Sequence, residues 1–365
     1  MLLDTGNGTK EPSRTPRATR SGGTKSMSET FKSRPRDGRN SIGLWLLTCC
    51  AMIFIMVVLG GVTRLTESGL SIVDWRPVMG TLPPLGETEW QEAFARYKSS
   101  PEFRKANFWM TLADFKGIFW YEYIHRVWGR AIGLVFAVPF AYFLLRRRID
   151  RGLGVRLVIG LGLGALQGVL GWVMVRSGLV ERPDVSQYRL AAHLGLAIVI
   201  YGYLLWIALE ILTGPGRHEG AMRLRFHAGV VAAWSFFTAI TGAFVAGLDA
   251  GRAYNTFPLM DGRIVPEAMF ELDPWIINFF ENAAAVQFTH RVVAILLVVV
   301  ILALWLRAPR RIGAWLAVAA VAQAGLGIVT LLTGVEIWIA ATHQAGAMVV
   351  FTLALWTSHV CRQGP

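Results

Sequence analysis

Eight apolar stretches, each long enough to cross the hydrocarbon core of a bilayer as a helix, constrain this chain more than any other feature. The composition agrees, because 54% of the residues are hydrophobic and only 16% are charged, whereas an ordinary soluble domain is about a quarter charged. We therefore predict an all-α integral membrane protein with eight transmembrane helices. The predicted spans are residues 42–61, 125–145, 156–175, 190–212, 227–247, 288–306, 312–332 and 338–358.

The positions of the basic residues predict how these helices are oriented. An even number of spans places both termini on one side of the membrane, and that side carries 21 of the 36 Lys and Arg residues. The other side carries 12, of which 7 lie in the long loop 62–124, and long loops contribute little to orientation. We expect both termini on the cytoplasmic side. The expected membrane is the bacterial inner membrane or, as the alternative, the mitochondrial inner membrane.

The net charge of +12 would also fit a protein that binds nucleic acid. The outer side, however, carries 17 of the 24 acidic residues, so the basic excess is confined to the cytoplasmic side. We interpret the charge as a topology signal and expect no nucleic-acid partner. The lipid bilayer is the partner that the apolar spans require.

The two halves of the chain repeat the same motifs in the same order. The matching pairs are Gly61 with Gly242, Gly69 with Gly251, the stretch 75–80 with 257–262, His125-Arg126 with His290-Arg291, Gln167 with Gln323, Gly171 with Gly327, and His193 with His343. Each half contains four spans, so the repeats are parallel and related by an axis along the membrane normal. We predict two four-helix bundles, residues 42–212 and 227–358, joined by a cytoplasmic linker 213–226, with a polar basic segment 1–41 before them and a tail 359–365 after them.

Four of the seven histidines are paired by this repeat, whereas His218, His227 and His359 are not and should tolerate alanine. The paired four open the even-numbered helices, which all enter from the outer side, so we expect them at one depth. Each either caps a helix start, lies at the membrane interface, or has a function, as ionisable residues inside membrane helices usually do. Two imidazoles in a bundle core suit zinc, copper or haem iron. The glycines nearby leave room for a flat macrocycle, which predicts one haem in each half.

The halves differ at the residue three positions before the first histidine, which is Glu122 in one half and Gln287 in the other. This spacing places each residue on the helix face of its histidine. The Glu122 carboxyl group either exchanges protons and stabilises positive charge beside the first site, or is an exposed acid at a helix start. Arg126 and Arg291 follow the two histidines, and each either binds a haem propionate or extends to the membrane surface.

Two aromatic-rich outer segments are candidates to cover these sites. In residues 87–98, Trp90, Phe94 and Tyr97 recur at helical spacing. This amphipathic stretch either lies on the membrane surface or covers the first site. Residues 248–286 are the corresponding candidate for the second site.

Together these motifs resemble the haem A synthase family over about residues 42–358. The resemblance rests on Gly60-Gly61-Val62-Thr63-Arg64-Leu65-Thr66, Ser68-Gly69-Leu70-Ser71, Glu122-Tyr123-Ile124-His125-Arg126, Asn255-Thr256-Phe257-Pro258-Leu259-Met260, Gln287-Phe288-Thr289-His290-Arg291 and Thr342-His343-Gln344. It implies an oxidoreductase that converts the C8 methyl group of haem O to the formyl group of haem A by successive hydroxylations. Because haem A equips terminal oxidases, haem O synthase and a terminal oxidase assembly are the expected partners. The electron donor is unidentified, and a homo-oligomer is an open alternative to a monomer.

The resemblance also divides the roles between the two halves. It implies a haem b cofactor in the C-terminal half and a substrate site in the N-terminal half, where an acidic residue is required. The implied positions are His290 and His343 as axial ligands of the haem b iron with Arg291 beside them, and His125, His193 and Arg126 around the substrate with Glu122 as the acid.

Some members of this family carry a cysteine pair in the outer loop after the first helix. Here residues 62–124 and 248–286 contain no cysteine, and Cys49, Cys50 and Cys361 form no CxxC motif. We therefore expect the chain in the Cys-free subgroup found in proteobacteria and mitochondria.

Two other functions compete with the enzyme. A bis-histidine b-type cytochrome that carries electrons across the membrane would need haems towards both faces, whereas all four histidines are predicted near one face. A transporter built on parallel repeats would use the histidines and Glu122 as a proton relay. The purified transporter would be colourless, whereas a haem protein shows a Soret band.

The topology gives the first test. A reporter fused after residue 365 should lie in the cytoplasm, and a reporter inserted near Pro101 should lie on the outer side. Paired reporters, one active only outside and one fluorescent only inside, measure both positions. The reverse pattern would place the four histidines near the cytoplasmic face and contradict the predicted orientation.

Overall fold

The computed structural model describes residues 36–73, 82–179, 185–214, 222–307 and 311–362. Within these ranges the chain is helical, and the only β pairing is an isolated bridge between Met260 and Arg263. The repeat motif at 75–80 and His218 lie outside the described residues. The α-helices are α1 (Arg36–Leu65), α2 (Glu87–Lys98), α3 (Pro101–Lys105), α4 (Leu112–Leu145), α5 (Arg151–Gly178), α6 (Gln187–Thr213), α7 (Met222–Gly247), α8 (Ala250–Ala253), α9 (Asn278–Glu281), α10 (Ala283–Arg307), α11 (Arg311–Leu332) and α12 (Ile337–Arg362).

Eight of these helices are long and apolar enough to cross a membrane, namely α1, α4, α5, α6, α7, α10, α11 and α12. The predicted all-α membrane fold is therefore confirmed. The largest difference from the predicted spans is at α4, which starts at Leu112 and not near residue 125. Thr111 caps this start, because its hydroxyl accepts from the Asp114 N–H while the Asp114 carboxylate accepts from the Thr111 N–H. The added turns mix aromatic and polar residues, so an apolar pattern alone does not reveal them.

The four repeat-paired histidines consequently lie inside helices and not at helix starts. His125 lies several turns into α4, and His193, His290 and His343 lie beyond the first turn of α6, α10 and α12. Backbone N–H groups at such positions are already bonded within the helix. The alternative that these histidines act as helix caps is therefore wrong.

The helices α1 and α6 are the most deeply buried of the eight spans. Their apolar side chains form a large core cluster with part of α12, in which Leu46, Ile207 and Met348 are almost completely buried. By contrast, α4 and α5 leave side chains such as Leu134 and Val158 exposed. Apolar side chains can face lipid tails without loss, so α4 and α5 are the lipid-facing helices of the first half.

Small residues bring helices of the two halves into close contact. A Cβ atom at Gly202 of α6 would lie 3.2 Å from the Phe351 ring of α12, and the neighbouring Tyr201 hydroxyl lies 2.6 Å from the Thr352 hydroxyl. Small residues commonly allow this approach between membrane helices. Two adjacent four-helix bundles require contacts of this kind, and the division into residues 42–212 and 227–358 remains a prediction.

The amphipathic helix α2 packs on the protein and not on the membrane surface. Its stripe of Trp90, Phe94 and Tyr97 is buried against Phe115 and Phe119 of α4. The Trp90 and Phe119 rings meet edge to face with their centroids 4.9 Å apart, a favoured aromatic geometry. The long start of α4 therefore provides the surface on which this aromatic stripe is buried, and the alternative that the stripe faces the membrane surface is wrong.

The unpaired histidines have different surroundings. His227 of α7 is half-buried, and its Nε2 donates to the Val300 carbonyl over 3.1 Å. His359 of α12 is 1% exposed and packs edge to face on Trp206. Neither ring nitrogen of His359 has a hydrogen-bond partner within the described part of the chain. A buried polar group without a partner costs about 1–3 kcal/mol, so His359 lowers the stability of the fold.

A leucine at position 359 should therefore stabilise the protein. His359→Leu keeps much of the side-chain volume and removes the unpaired nitrogens, and we expect the unfolding midpoint to rise by about 2–4 °C, equivalent to about 1 kcal/mol. His227→Leu is the matched control and should lower the midpoint, because it removes a hydrogen bond. Thermal unfolding in detergent measures both, and a lower midpoint for His359→Leu would contradict this account.

Candidate functional site

Each repeat-paired histidine packs its imidazole against a glycine on a neighbouring membrane helix. A Cβ atom added at any of these glycines would lie only 3.0–3.2 Å from the ring Cε1 atom, so a larger residue would displace the ring. The four contacts are Gly60 with His125, Gly171 with His193, Gly242 with His290, and Gly327 with His343.

These contacts correct the predicted repeat by one residue. The sequence pairs Gly61 with Gly242, but Gly60 is the glycine that faces the histidine in the first half. Gly61 instead faces α12, where a Cβ atom would overlap with the Gln344 Oε1 atom. The Gln344 amide donates to the Val57 carbonyl over 2.8 Å, so Gly61 is required by a contact between the halves.

The loops that follow the first helix of each half take similar paths. Glu67 and Asp249 both have left-handed backbone conformations, with φ of 51° and 49°, which are uncommon for residues other than glycine. Five residues after them, Ile72 and Tyr254 both place a backbone group against the residue that precedes the first histidine by three. The repeat therefore extends to the loops beside the sites.

The two histidines of each predicted pair belong to the same half of the fold and lie near enough for the charge of one to affect the other, His125 with His193 and His290 with His343. Among the described residues, no group of three or more His, Cys, Asp or Glu side chains gathers as a metal site. Pairs of imidazoles are the ligands that a bis-histidine haem takes from a helix bundle.

In the C-terminal half, Thr241 fixes which nitrogen of His290 carries the proton. The Thr241 hydroxyl donates to the Thr238 carbonyl over 2.8 Å and lies 2.8 Å from His290 Nδ1. A hydroxyl has one proton, so it accepts from Nδ1–H and the Nε2 lone pair stays available. A histidine that ligates a metal is commonly oriented in this way by a second hydrogen bond.

Arg291, next to His290, has hydrogen-bond donors without a partner among the described residues. Its Nη2 lies 3.2 Å from the Tyr254 carbonyl and 3.4 Å from Gln287 Oε1. Its Nε and Nη1 are buried and have no hydrogen-bond partner among the described residues. Because buried donors are normally paired, these two atoms suit the carboxylate of a haem propionate. The residues of the C-terminal half therefore fit a haem.

Two glutamines of the repeat anchor the second histidine of each pair. The Gln167 side chain donates to the His193 carbonyl over 3.0 Å, and the Gln323 side chain donates to the His343 carbonyl over 2.8 Å. Each glutamine lies one helical turn before the glycine that supports the same histidine. The conformation of both second histidines is thus set by equivalent residues.

In the N-terminal half, Glu122 is buried at 3% exposure, so the alternative of an exposed acid at a helix start is wrong. Arg126 donates to Oε1 from Nε and Nη2, over 3.0 and 2.6 Å. The Ser71 hydroxyl and the Ile72 N–H donate to Oε2, over 2.6 and 2.7 Å. Arg126 also donates to the Ile72 carbonyl over 2.9 Å. The carboxylate therefore joins α4 to the loop that follows α1.

In the second half, the uncharged residue Gln287 makes the corresponding contact with the loop. Gln287 is 1% exposed, and its amide donates to the Tyr254 carbonyl over 3.0 Å. The loop therefore presents an N–H group to Glu122 and a C=O group to Gln287. A carboxylate only accepts hydrogen bonds, whereas an amide can also donate. The two side chains are consequently not interchangeable.

Sequence reasoning missed three residues that shape these sites. Thr241 precedes a repeat glycine, and Ser71 belongs to a motif of the first loop, so both were near recognised positions. Arg176 lies at the outer end of α5 without a basic counterpart in the other half. That difference between the halves was a signal that the sequence contained.

Comparisons with known proteins show the family of the chain. The family model described as "Cytochrome oxidase assembly protein" matches residues 43–355. A protein named "Heme A synthase" from Nitrosospira multiformis is 49% identical over 334 residues, covering 88% of this chain and 94% of the relative. Another from Parvibaculum lavamentivorans is 50% identical over 324 residues, with coverage of 88% and 94%. "Heme A synthase COX15" from Homo sapiens is 45% identical over 342 residues, with coverage of 89% and 83%. The chain therefore belongs to the family of cytochrome oxidase assembly proteins that includes the haem A synthases.

Proposed function

We propose that this protein is a haem A synthase, a membrane oxidoreductase that converts the C8 methyl group of haem O to a formyl group. The observation that carries this proposal is the asymmetry between two equivalent histidine pairs, since only one has a buried carboxylate, Glu122, beside it. The names of the relatives support the same activity. The alternative of a b-type electron carrier is not favoured, because these relatives are named as enzymes.

The C-terminal half is proposed to hold a haem b cofactor between His290 and His343. Thr241 leaves His290 Nε2 free for iron, and the unpartnered donors of Arg291 suit a propionate. Haem b, when bound, supplies one-electron redox chemistry. The residues of this half hold and orient the cofactor, and none of them is assigned a proton-transfer role.

The N-terminal half is proposed to bind haem O between His125 and His193, with Arg126 beside the first ligand. Leu59 occupies the repeat position of Thr241, so no equivalent hydroxyl lies beside His125. The first histidines of the two halves therefore have different neighbours, which supports different ligands in the two halves. The resident cofactor and the exchanging substrate are thus assigned to different halves.

Glu122 is the proposed catalytic residue. Two hydroxylations at one methyl carbon, each adding a hydroxyl group from water and passing two electrons to an acceptor outside the chain, followed by loss of one water, give the formyl group. This oxidation builds positive charge at a carbon beside the macrocycle and releases protons. A carboxylate fixed by four hydrogen bonds is already oriented to stabilise such charge. The contacts from Ser71, Ile72 and Arg126 therefore keep the negative charge of Glu122 in place.

The proposed setting is a multi-pass protein of the bacterial inner membrane with cytoplasmic termini and outer-side sites. Haem O is the proposed substrate, and assembly of a terminal oxidase is the proposed use of the product. The homologues include bacterial and mitochondrial proteins, and the basic cytoplasmic segments support this orientation.

Replacing the glycine under His343 tests the cofactor site. Gly327→Ala places a methyl group 3.0 Å from His343 Cε1, and we expect a displaced ring, a weakened iron bond and less low-spin haem b. Gly325→Ala is the matched control, because a Cβ atom there meets nothing within 4 Å and alanine favours helix. Absorption spectra of the purified variants measure the effect, and identical haem b spectra for both would contradict the assignment.

Replacing the acid tests the enzymatic function. Glu122→Gln should insert, keep haem b and bind haem O, yet synthesise haem A about 10²–10⁴-fold more slowly, because a well-placed acid or base contributes about that factor. Gln287→Glu changes the equivalent residue of the cofactor half and should lower the haem b content, because a carboxylate cannot donate to the Tyr254 carbonyl. Turnover per bound haem b should change much less than in Glu122→Gln. Membranes supplied with haem O, followed by chromatography of the extracted haems, give the rates.

Ser71→Ala separates the charge of Glu122 from its structural contacts. This variant removes one donor to the carboxylate and leaves its charge, so most haem A synthesis should remain. If Ser71→Ala loses as much activity as Glu122→Gln, the carboxylate acts by holding the loop. If Glu122→Gln makes haem A at the unmodified rate, the proposed division between the halves is wrong.

A further inference from the structure

A cavity of about 250 Å³ lies on the outer side of the first half, next to Arg126. The loop after α1, the helix α4 and the last turns of α5 enclose it. Its lining is apolar except for two guanidinium groups. The lining residues are Val73, Arg126, Trp172, Val175, Arg176 and Leu179.

Two of the helices that line this cavity also position the first histidine pair. Arg126 directly follows His125 on α4. Gly171 of α5 supports His193, and Val175 lies one helical turn later on the same face of α5. The cavity is therefore lined by residues that directly follow His125 on α4 and Gly171 on α5.

The walls of the cavity are held in place by tight contacts. A Cβ atom at Gly178 would lie 2.8 Å from Leu70, so the end of α5 packs directly on the loop after α1. The same loop is bonded to α4 through the contacts of Ile72 with Glu122 and Arg126. The described residues on both sides of the space between the two arginines are consequently held by contacts within the fold.

The two arginines differ in how they are held. Arg126 forms an ion pair with Glu122 at 2.6 Å, so much of its charge is balanced inside the protein. The Arg176 guanidinium lies over the Trp172 ring at 5.1 Å from the centroid and is exposed. A cation–π contact at an exposed site is weaker than a charge-assisted hydrogen bond. Arg176 can therefore exchange the ring for an anionic ligand.

The other half has no equivalent of Arg176. The alignment of Gly171 with Gly327 places Leu332 at the position of Arg176. In that half the unpartnered donors belong to Arg291, next to the histidine. The second arginine is thus specific to the half that is proposed to exchange its ligand.

We propose that this cavity is a carboxylate subsite for the porphyrin substrate, and that Arg176 binds a substrate propionate there. The inference rests on the proposed function, because a porphyrin that carries propionates is the ligand that would bring a carboxylate to this position. Arg176 selects for the acidic edge of the substrate, while the histidines bind its iron. Its location at a helix end, stacked on Trp172, lets it follow the substrate as it enters.

The test is a binding titration with two forms of one ligand. The protein is purified with haem b from a host that makes no haem O, and is then titrated with haem O or with haem O dimethyl ester, which has no carboxylates. Absorption in the Soret region reports binding. Arg176→Leu, which installs the residue of the other half, should weaken haem O binding about tenfold, the effect of one charge-assisted hydrogen bond. It should leave binding of the ester unchanged.

Two further variants complete the experiment. Arg104→Leu removes an exposed arginine of α3 outside the cavity and should leave both affinities unchanged. Arg176→Lys keeps the charge at the same position and should lose less affinity than Arg176→Leu. The haem b content of every variant reports whether it is folded, and Arg176→Lys provides the comparison if Arg176→Leu loses haem b.

The outcomes separate this inference from the function on which it rests. Equal haem O affinity for the unmodified protein and the Arg176 variants overturns the inference alone. Equal weakening for haem O and its ester also overturns it, because Arg176 would then act through packing. If the unmodified protein with its haem b binds no haem O, the proposed function and the inference both fail.

Discussion

The contact between an imidazole edge and a bare glycine backbone, made on four pairs of helices, is the constraint on which the rest of the structure depends. A polar ring inside a membrane bundle has to be buried by protein, and only glycine lets a neighbouring helix approach it so closely. At Gly60, Gly171, Gly242 and Gly327 even one methyl group would crowd the ring. These glycines fix the spacing of the helix pairs, and this spacing determines where two imidazoles can hold one macrocycle.

The two halves share one helical framework, but their sites differ in the backbone group that one loop residue presents. This group contacts the side chain three positions before the first histidine. Ile72 turns its N–H towards Glu122, whereas Tyr254 turns its C=O towards Gln287. Each orientation requires the side chain found there, an acceptor in the first case and a donor in the second. A negative charge is therefore built into one half without any change in helix packing. Thr241, present in only one half, adds a second difference because it orients His290.

The sequence predicts the membrane spans well and allows the candidate site residues to be selected, because both depend on patterns of composition and repetition along the chain. Apolar length identifies membrane helices, and repetition identifies His125, His193, His290 and His343. The start of α4 cannot be predicted in this way, because its first turns are polar enough to resemble a loop. They are helical because Thr111 caps them and the aromatic side chains of α2 pack on them. The hydrogen-bond partners of Glu122 cannot be predicted from the sequence either, because one of them, the Ile72 N–H, is a backbone group that no residue pattern encodes.

Both halves meet at a contact that joins the two sites. Gln344 directly follows His343 on α12, and its side chain reaches α1, where it donates to Val57 and lies against Gly61. The preceding residue on α1, Gly60, packs against His125. A displacement of α12 that moved His343 would therefore also strain the backbone that positions His125. Because packed interiors resist gradual deformation, this contact couples the positions of the two histidine pairs. Gly61, which the sequence suggests as a repeat position, is needed for this contact between the halves.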